Sequence, residues 1–543
     1  MKPSTKHSLS FNHFLFLATV AVVGFFPEHV ISAGSKVDVL PGFEGPLPFH
    51  LETGYIGVGE SEEIQLFYYF VKSETNPKDD PVILWISGER GCSSLTGLVY
   101  EIGPLFFEAK VYNGTLPTLL LSGHSLTKSA SMIFLDQLPN IGFSYSTKTT
   151  TFTDVQASNY IYEFLQKWFD QNQDFVSNPF FIASSSDGGL IVPTIVEHIS
   201  DGNEAAKKPI NLEGYILGNP KTFPYEENFR VEFAAGMGFL STEFYESLKE
   251  NCKDEYMHVD QENTLCAQGL QKYNKLVDGI CAQHILETCC GPEEPTPKLS
   301  LGARRALDEQ RIRPFNEKFL NLDGHDDDDD DDNNLICRVN YHRLSNYWAN
   351  DPSVQKALHV RKVSSKKWAR CNWNAVSKTY KVTIQDTRQQ HAALNAKGYR
   401  SLIYNGDHDM IVPFESTQAW IKALNHTIDL DWTPYYVIHS KEQDVIAPPF
   451  RFEAYTEVAG YTRNFTSNMT YATVKGAGHI ATEHKPDMCV GLISRWIAGK
   501  DISLLPFPVV TAALKQFMQS GKDKLSPFSQ LQAEARDFPF ILG

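Results

Sequence analysis

The chain has 543 residues, a formal net charge of −16 and 42% hydrophobic residues, proportions typical of a globular protein with two or three domains or one large α/β domain. Seven of the negative charges lie in the run Asp326–Asp332, which leaves −9 elsewhere. This balance argues against nucleic acid or an anionic membrane as a partner. Seven adjacent like charges predict a solvated loop rather than a calcium site, and no metal or cofactor is expected.

Residues 1–33 have the layout of a secretory signal peptide. Lys2 and Lys6 precede the apolar run Phe14–Phe26, and the small residues around Ala33 suit cleavage. The run is too short to cross a bilayer, and the alternative is a buried helix. We therefore expect the secretory pathway, ending outside the cell or in a vacuole, where most of the nine cysteines would form disulfides. N-x-S/T tripeptides predict glycosylation at Asn113, Asn425, Asn464 and Asn468.

Short apolar runs alternate with helical patterns along residues 34–225. Apolar residues recur at helical spacing from Ala157 to Trp168, which predicts an amphipathic helix. Such alternation is typical of an α/β fold with a mostly parallel sheet covered by helices on both faces. The predicted strands, including two later in the chain, are Ile64–Val71, Val82–Ile86, Met132–Leu135, Pro179–Ala183, Gly214–Leu217, Ser401–Tyr404 and Tyr471–Val474.

Residues 226–343 break this pattern, because they are cysteine-rich, charged and helical, and they include the acidic run. We interpret them as a cap inserted over the sheet. The core resumes over residues 344–499 and closes with a helix at Met488–Ile497. Residues 500–543 form a C-terminal tail without an assignable motif.

The stretch Ser184–Gly189 follows an apolar run and precedes the apolar Leu190–Val196. This order predicts a strand, a sharp turn and a helix, the setting of a nucleophile elbow with the pattern G-x-S-x-G. Here the first glycine is replaced by Ser184, whereas the second is kept as Gly188. Ser186 is therefore the candidate nucleophile.

Three side chains follow three predicted strands, in the order Ser186, Asp409 and His479. A hydrolase triad needs a serine to attack, an imidazole to take its proton and a carboxylate to orient that imidazole. This chain order is that of α/β-hydrolases, whose ligands bind beyond the carboxyl ends of the strands. Asp407 is the alternative carboxylate, but Asp409 lies further along the turn. His484 lacks the glycine turn that precedes His479.

Several long motifs stand out along the chain, at Leu40–Glu60, Gly91–Ser94, Ile133–Ser146, Trp348–Val360, Gly406–Pro413, Val458–Phe465 and Thr473–Pro486. Together they resemble plant serine carboxypeptidase-like proteins, a family with an α/β-hydrolase fold. The opening LPGFEGPLPF is most similar to the branch that includes acyltransferases acting on glucose esters of phenolic acids.

The resemblance places Ser186, Asp409 and His479 on the family's triad. It implies oxyanion binding by the backbone N–H groups of Glu89 and Asp187. It also implies substrate binding at Ser87, Gly88 and Ser185, and disulfides joining Cys92 to Cys371, Cys252 to Cys266 and Cys290 to Cys337.

The chain departs from the family pattern around the oxyanion. Glu89 replaces a glycine, Arg90 a proline and Asp187 a tyrosine. An unpaired Asp187 carboxylate ~4 Å from the oxyanion would oppose it by about 4 kcal/mol at an effective dielectric of ~20, on the order of a thousandfold in rate. Protonation of Asp187, or pairing of Arg90 with Asp187 or Glu89, would relieve this repulsion. Ser87 and Ser185 replace the asparagine and glutamate with which carboxypeptidases grip a terminal carboxylate.

These observations predict a secreted serine-type carboxypeptidase that cleaves C-terminal peptide bonds through an acyl-enzyme, with a peptide or a small acyl ester as substrate. One alternative is an acyltransferase that uses glucose esters of phenolic acids. The other is a pseudoenzyme, impaired by Asp187 and Glu89, that keeps the fold as a binding protein.

Overall fold

The structure is a computed structural model that describes residues 34–148, 151–205, 208–260, 262–288, 338–362, 367–440 and 454–503. The predicted signal peptide, the run Asp326–Asp332, the pair Cys290 and Cys337, and residues 504–543 lie outside these ranges. Among the described helices, none combines the length and the hydropathy that crossing a membrane requires.

The described strands form one 12-stranded sheet and two small two-stranded sheets. Their bounds are β1 Ser35–Val39, β2 Pro46–Val58, β3 Ile64–Val71, β4 Val82–Ile86, β5 Leu105–Phe107, β6 Leu119–Leu121, β7 Ser131–Leu135, β8 Tyr145–Ser146, β9 Phe152–Thr153, β10 Phe180–Ser185, β11 Leu212–Gly218, β12 Tyr380–Lys381, β13 Arg400–Gly406, β14 Ile428–Ser440, β15 Ala454–Phe465 and β16 Met469–Val474.

The large sheet is parallel in its centre and antiparallel at both edges. Its order is β1-β2-β3-β7-β4-β10-β11-β13-β16-β15-β14, with β8 paired to β3. The strands from β7 to β16 in this order all pair in parallel, whereas β1, β2, β3, β15 and β14 pair antiparallel with their neighbours. The predicted α/β class is confirmed, with a mixed rather than uniformly parallel sheet.

Helices cover both faces of this sheet. Their bounds are α1 Asp154–Gln171, α2 Gly188–Ala205, α3 Phe229–Gly236, α4 Thr242–Cys252, α5 Thr264–Leu276, α6 Arg338–Ala349, α7 Pro352–Ala357, α8 Trp373–Thr379, α9 Arg388–Ala396, α10 Phe414–Ala423, α11 Ala481–His484 and α12 Pro486–Ile497.

Strand β4 shows how one strand joins two hydrophobic cores. Successive side chains of a strand point to opposite faces. Ile83 and Trp85 pack in the cluster that contains Trp496 of α12, whereas Leu84 packs in the cluster that contains Trp168 of α1. Burial on both faces explains why this strand is apolar throughout rather than alternating.

Helices α3, α4 and α5 lie in the predicted cap and share a third hydrophobic cluster. Its buried members include Val231, Leu248 and Leu270, and Met410 of the core joins them. Met410 directly follows Asp409, so the cap packs against the loop that carries the predicted triad aspartate. The boundaries 226–343 stay a prediction, because residues 289–337 lie outside the described chain.

The sequence patterns did not predict the hairpin β14–β15, which extends the sheet at one edge. Strand β14 has charged residues among its apolar ones and contains Pro434, a residue that sheets tolerate mainly at edges. Ile428 and Trp432 are exposed along it. A strand with one solvated face and an open edge lacks the continuous apolar run that identified the central strands.

Two of the three implied disulfides lie within the described residues and are present. Cys92 is bonded to Cys371 across a sequence separation of 279. Cys252 is bonded to Cys266 across a separation of 14, between α4 and α5. The first bond fixes the loop that follows β4, and the second staples the cap.

We expect loss of the Cys92–Cys371 bond to lower the melting temperature more than loss of the Cys252–Cys266 bond. The longer loop restricts the unfolded chain more, by about 6 kcal/mol against about 3 kcal/mol in a loop-closure model. Thermal unfolding of the variants Cys92→Ala/Cys371→Ala and Cys252→Ala/Cys266→Ala under non-reducing conditions tests this order. An equal or larger loss in the cap variant would contradict it.

Candidate active site

Ser186 occupies a sharp turn between β10 and α2. Its backbone φ is +49°, in the left-handed region that non-glycine residues avoid. The turn is held because the Ser186 N–H donates to the carbonyl of Gly218 at 2.9 Å, and the Ser186 carbonyl accepts from the N–H of Lys221 at 2.9 Å. A side chain at Gly188 would overlap Ser184, so the glycine kept in the motif is required by close packing. The strand, turn and helix are those that the sequence predicts.

The structure brings Ser186, His479 and Asp409 together from three different strand ends. His479 Nε2 lies 2.9 Å from Ser186 Oγ, and His479 Nδ1 lies 2.8 Å from Asp409 Oδ2. Asp409 is completely buried, whereas Ser186 keeps 8% of its surface exposed. This arrangement can transfer a proton from the serine hydroxyl to the imidazole while the carboxylate fixes the opposite ring nitrogen.

Asp409 is oriented by donors other than His479. Asn219 Nδ2 donates to Asp409 Oδ2 at 2.8 Å, and the N–H groups of Ile411 and Val412 donate to its two oxygens at 2.7 and 3.3 Å. The sequence patterns did not single out Asn219, although it directly follows β11. The strand-end rule that found the other polar residues would have found it as well.

Asp407 and His484, the alternatives for the triad carboxylate and imidazole, make other contacts. Asp407 Oδ1 contacts His408 Nδ1 at 2.5 Å and accepts from the N–H of Gly476 at 2.7 Å. His484 lies 3.9 Å from Glu287. Within the described chain neither residue contacts the Ser186–His479 pair, so the geometry selects Asp409 and His479.

The charge around His479 favours its protonated form. Burial lowers the pKa of His479, but the bonded Asp409 carboxylate and the more distant Glu89 raise it by more, so the net pKa lies above the usual imidazole value. The backbone N–H of His479 donates to the carbonyl of Gln283 at 2.6 Å. That contact joins the histidine loop to the predicted cap.

The loop after β4 carries the predicted oxyanion donor Glu89. This residue is not among the described residues with positive φ, so its side chain adds no backbone strain. Within the described part of the chain, no acceptor contacts the backbone N–H of Glu89 or of Asp187. Gly88 is required where it stands, because a side chain there would overlap the backbone of Ser185.

Asp136, at the end of β7, holds the loop after β4 in place. Its Oδ1 accepts from Ser93 Oγ at 2.6 Å and from the N–H of Ser94 at 3.0 Å, and its Oδ2 accepts from the N–H of Phe143 at 2.9 Å. Burial raises the pKa of Asp136 to about 6. This carboxyl group lies within a motif quoted for the resemblance, but its position was not predicted to bind the loop.

Asp187 is not left unpaired. Its Oδ2 lies 2.5 Å from Arg90 NH1, and its Oδ1 lies 3.6 Å from Lys221 Nζ. Burial opposes ionisation, but these two cations outweigh it and hold the pKa of Asp187 below its usual value. Of the means of relief that the sequence suggested, the structure shows the pairing of Arg90 with Asp187.

Ser87 and Ser185, the predicted substrate-binding pair, lie at the ends of neighbouring strands. The parallel pairing of β4 with β10 aligns Trp85 with Ala183. Ser185 is the last residue of β10, and Ser87 directly follows β4. Gln137 Nε2 donates to the Ser87 carbonyl at 2.9 Å.

Two clusters of potential metal ligands occur in the described chain, and neither suits an ion. In the first, Cys92 and Cys371 beside Glu89 are consumed by their disulfide. In the second, His284, Glu287 and His484 converge, but both oxygens of Glu287 already accept from the Arg338 guanidinium. We therefore assign neither cluster to a metal.

The four predicted glycosylation sites differ in exposure. Asn113, Asn425 and Asn468 are exposed, whereas Asn464 is half-buried and its Oδ1 accepts from Thr470 Oγ1 at 3.0 Å. Glycosylation stays a prediction at all four, with Asn464 the least accessible.

The serine carboxypeptidase family model matches residues 41–499 of the chain. Serine carboxypeptidase-like 12 of Arabidopsis thaliana is 44% identical over 483 residues, which cover 88% of this chain and 97% of the relative. Serine carboxypeptidase-like 11 of the same plant is 42% identical over 491 residues, covering 90% and 100%. Among solved structures, Kex1(Δ)p, a prohormone-processing carboxypeptidase of Saccharomyces cerevisiae, aligns with a TM-score of 0.60 at 17% identity, covering 86% of this chain and 95% of that one. At that identity the likeness shows a shared fold.

Proposed function

The chain belongs to the serine carboxypeptidase family and has the α/β-hydrolase fold, and from that premise we propose that it hydrolyses C-terminal peptide bonds through an acyl-enzyme. The observation that carries the proposal is the contact of His479 with Ser186 Oγ at 2.9 Å and with Asp409 at 2.8 Å. A buried triad with these contacts is poised to activate the serine. The proposal places the protein in the secretory pathway, outside the cell or in a vacuole.

In the proposed reaction Ser186 Oγ attacks the carbonyl carbon of the last peptide bond while His479 takes the hydroxyl proton. The backbone N–H groups of Glu89 and Asp187 donate to the oxyanion. His479 then protonates the leaving amine, and water, deprotonated by the same imidazole, releases the acyl group from Ser186. Asp409 stays ionised throughout and fixes the tautomer of His479.

The substrate test compares three compounds with the purified full chain. A blocked dipeptide with a free carboxylate is expected to release its C-terminal amino acid, and Ser186→Ala is expected not to release it. A phenolic glucose ester with an added alcohol tests the acyltransferase alternative, because the hydroxyl pair Ser87 and Ser185 lacks the amide and carboxyl grip on a terminal carboxylate. The third compound, the same dipeptide as its amide, tests how far the free carboxylate contributes.

Acyl transfer to the alcohol without peptide cleavage would show that the protein is an acyltransferase and not a peptidase. Absence of both reactions would contradict a catalytic role and leave the binding-protein alternative.

The raised pKa of His479 predicts the pH profile. The imidazole must be neutral to accept the serine proton, so kcat/KM is low below that pKa and rises as pH increases through it. Glu89→Gln removes one of the charges that raise the pKa, so we expect the rising limb to move to lower pH by up to about one unit.

The matched control for this shift is Glu246→Gln, which changes an exposed glutamate on α4. Its rising limb is expected to coincide with that of the wild-type protein. A Glu89→Gln profile that moves to higher pH, or does not move, would show that Glu89 does not raise the pKa of His479.

A further inference from the structure

Four charged side chains form a continuous ionic chain beside Ser186. They are Asp154, Arg90, Asp187 and Lys221 in order of contact. Arg90 Nε lies 3.1 Å from Asp154 Oδ1, and Arg90 NH1 lies 2.5 Å from Asp187 Oδ2. Lys221 Nζ completes the ionic chain at 3.6 Å from Asp187 Oδ1.

The ionic chain is anchored at Asp154, the first residue of α1. This carboxylate is completely buried and accepts from Tyr380 OH at 2.7 Å and from the N–H of Ile384 at 2.8 Å. It also accepts from the N–H of Thr383. Because three residues besides Arg90 donate to the Asp154 carboxylate, the Nε end of the guanidinium has a fixed partner and its NH1 end is aimed at Asp187.

We propose that Arg90 is a positioning residue of the oxyanion site, which holds the Asp187 carboxylate away from the oxyanion so that the Asp187 N–H can donate to it. The inference rests on the proposed function and deepens it, because it explains how the site accommodates an aspartate next to the nucleophile. The two ends of one planar guanidinium bind two carboxylates, a geometry that a lysine ammonium does not reproduce.

Arg90 is expected to matter more than Lys221. The Arg90 side chain is 8% exposed, whereas that of Lys221 is 48% exposed and its ammonium is more than 1 Å further from Asp187. Solvent screens a half-exposed pair and reduces its contribution. Lys221 is therefore the weaker of the two partners of Asp187, and we infer that Arg90 contributes more to holding the carboxylate.

The charged groups that face Asp187 come from three elements. Arg90 follows β4, Lys221 follows β11 and His479 follows β16; Glu226, beyond Lys221, also interacts with it. Without Arg90, burial would favour the neutral form of Asp187, so its carboxyl group would take up a proton at a higher pH than in the wild-type protein. A protonated Asp187 no longer repels the oxyanion.

The test is a double-mutant cycle on ester hydrolysis with Arg90→Gln, Asp187→Asn and the combined variant. Arg90→Gln is expected to lower kcat by roughly a hundredfold to a thousandfold and to change KM much less, because the repulsion acts on the charged transition state. Adding Asp187→Asn is expected to restore most of the loss. Lys221→Met is expected to lower kcat by less than about tenfold. The control Arg388→Gln, which breaks an exposed ion pair with Asp386, is expected to leave kcat unchanged.

A pH series separates this role from a merely structural one. The ratio of the Arg90→Gln rate to the wild-type rate is expected to rise as pH falls, because Asp187 becomes protonated in the variant. In the combined variant the ratio to wild type is expected to be independent of pH. Arg90→Lys keeps the positive charge but loses the guanidinium group that binds two carboxylates at once. Its kcat is expected to lie between those of the wild-type protein and Arg90→Gln.

Failure of Asp187→Asn to restore kcat, or an Arg90→Gln loss that is constant with pH, would overturn the inference. An inactive wild-type protein would instead contradict the proposed function and, with it, the catalytic part of the inference. The melting temperatures of the wild-type protein, Arg90→Gln, Asp187→Asn and the combined variant test separately whether the Arg90–Asp187 ion pair contributes to stability. If Arg90→Gln lowers the melting temperature equally with and without Asp187→Asn, the two residues are not energetically coupled.

Discussion

Ser186→Ala is expected to lower the rate of peptide or ester hydrolysis by roughly a millionfold, the scale seen when the nucleophile of a serine hydrolase is removed. The change deletes only the hydroxyl oxygen that lies 2.9 Å from His479 Nε2. Because the turn is held by backbone hydrogen bonds of Ser186, we expect the fold to survive. The measurement is kcat/KM with a chromogenic ester, alongside the melting temperature.

The matched control is Ser247→Ala, which removes an exposed hydroxyl on α4 and is expected to leave kcat/KM unchanged. Hydrolysis by Ser186→Ala within about tenfold of the wild-type rate would mean that another group attacks the carbonyl. In that case the geometry of the elbow would have no catalytic meaning.

Asp409→Asn is expected to lower kcat by about ten-thousandfold, because an amide in place of the carboxylate stabilises the wrong tautomer of the histidine. In this site the substitution has a second effect. Asp409 accepts from Asn219 and from two backbone N–H groups, so an amide NH2 would face donors where only acceptors fit. We therefore expect a lower melting temperature as well.

Asp407→Asn provides a control two residues away in the same loop. Asp407 contacts His408 and Gly476 instead of His479, so we expect its loss to reduce kcat by less than about tenfold, in line with a residue that shapes the loop. A larger loss in Asp407→Asn than in Asp409→Asn would reverse the assignment of the two carboxylates.

The sequence predicted the central strands well because their burial leaves a continuous apolar signature. Ile64–Val71 and Val82–Ile86 have the same bounds in the structure as in the prediction. The edge strand Ile428–Ser440 was harder to predict from the sequence, because it mixes charged residues, the exposed Trp432 and a proline. A strand whose outer face meets water, and whose outer edge pairs with no other strand of the described chain, is constrained by packing on one side only.

The residues of the site were predictable where they follow a strand, as Ser186, Asp409 and His479 do. Asn219 satisfies the same rule and was missed only because no chemical role drew attention to it. The sequence raised the pairing of Arg90 with Asp187 only as one of several possibilities. These residues are 97 positions apart, and which possibility is realised depends on side-chain geometry and on the anchor Asp154, which no spacing in the sequence encodes.

The outcome at Asp187 changes how the departures from the family pattern are understood. Taken singly, Glu89, Arg90 and Asp187 each look like damage to an oxyanion site. In the structure the arginine offsets the aspartate at 2.5 Å, and the glutamate interacts with His479 and raises its pKa. We interpret the substitutions at Arg90 and Asp187 as coupled, so that changing one alone is expected to harm the site more than changing both.

The measurement that tests the central claim most directly is the intact mass of the protein after incubation with a small fluorophosphonate. We expect one covalent adduct per wild-type chain, located by peptide mapping on Ser186, with a labelling rate that rises as His479 loses its proton. Ser186→Ala is expected to remain unmodified. An unmodified wild-type protein, or an adduct that persists in Ser186→Ala, would contradict the claim that this elbow carries an activated nucleophile.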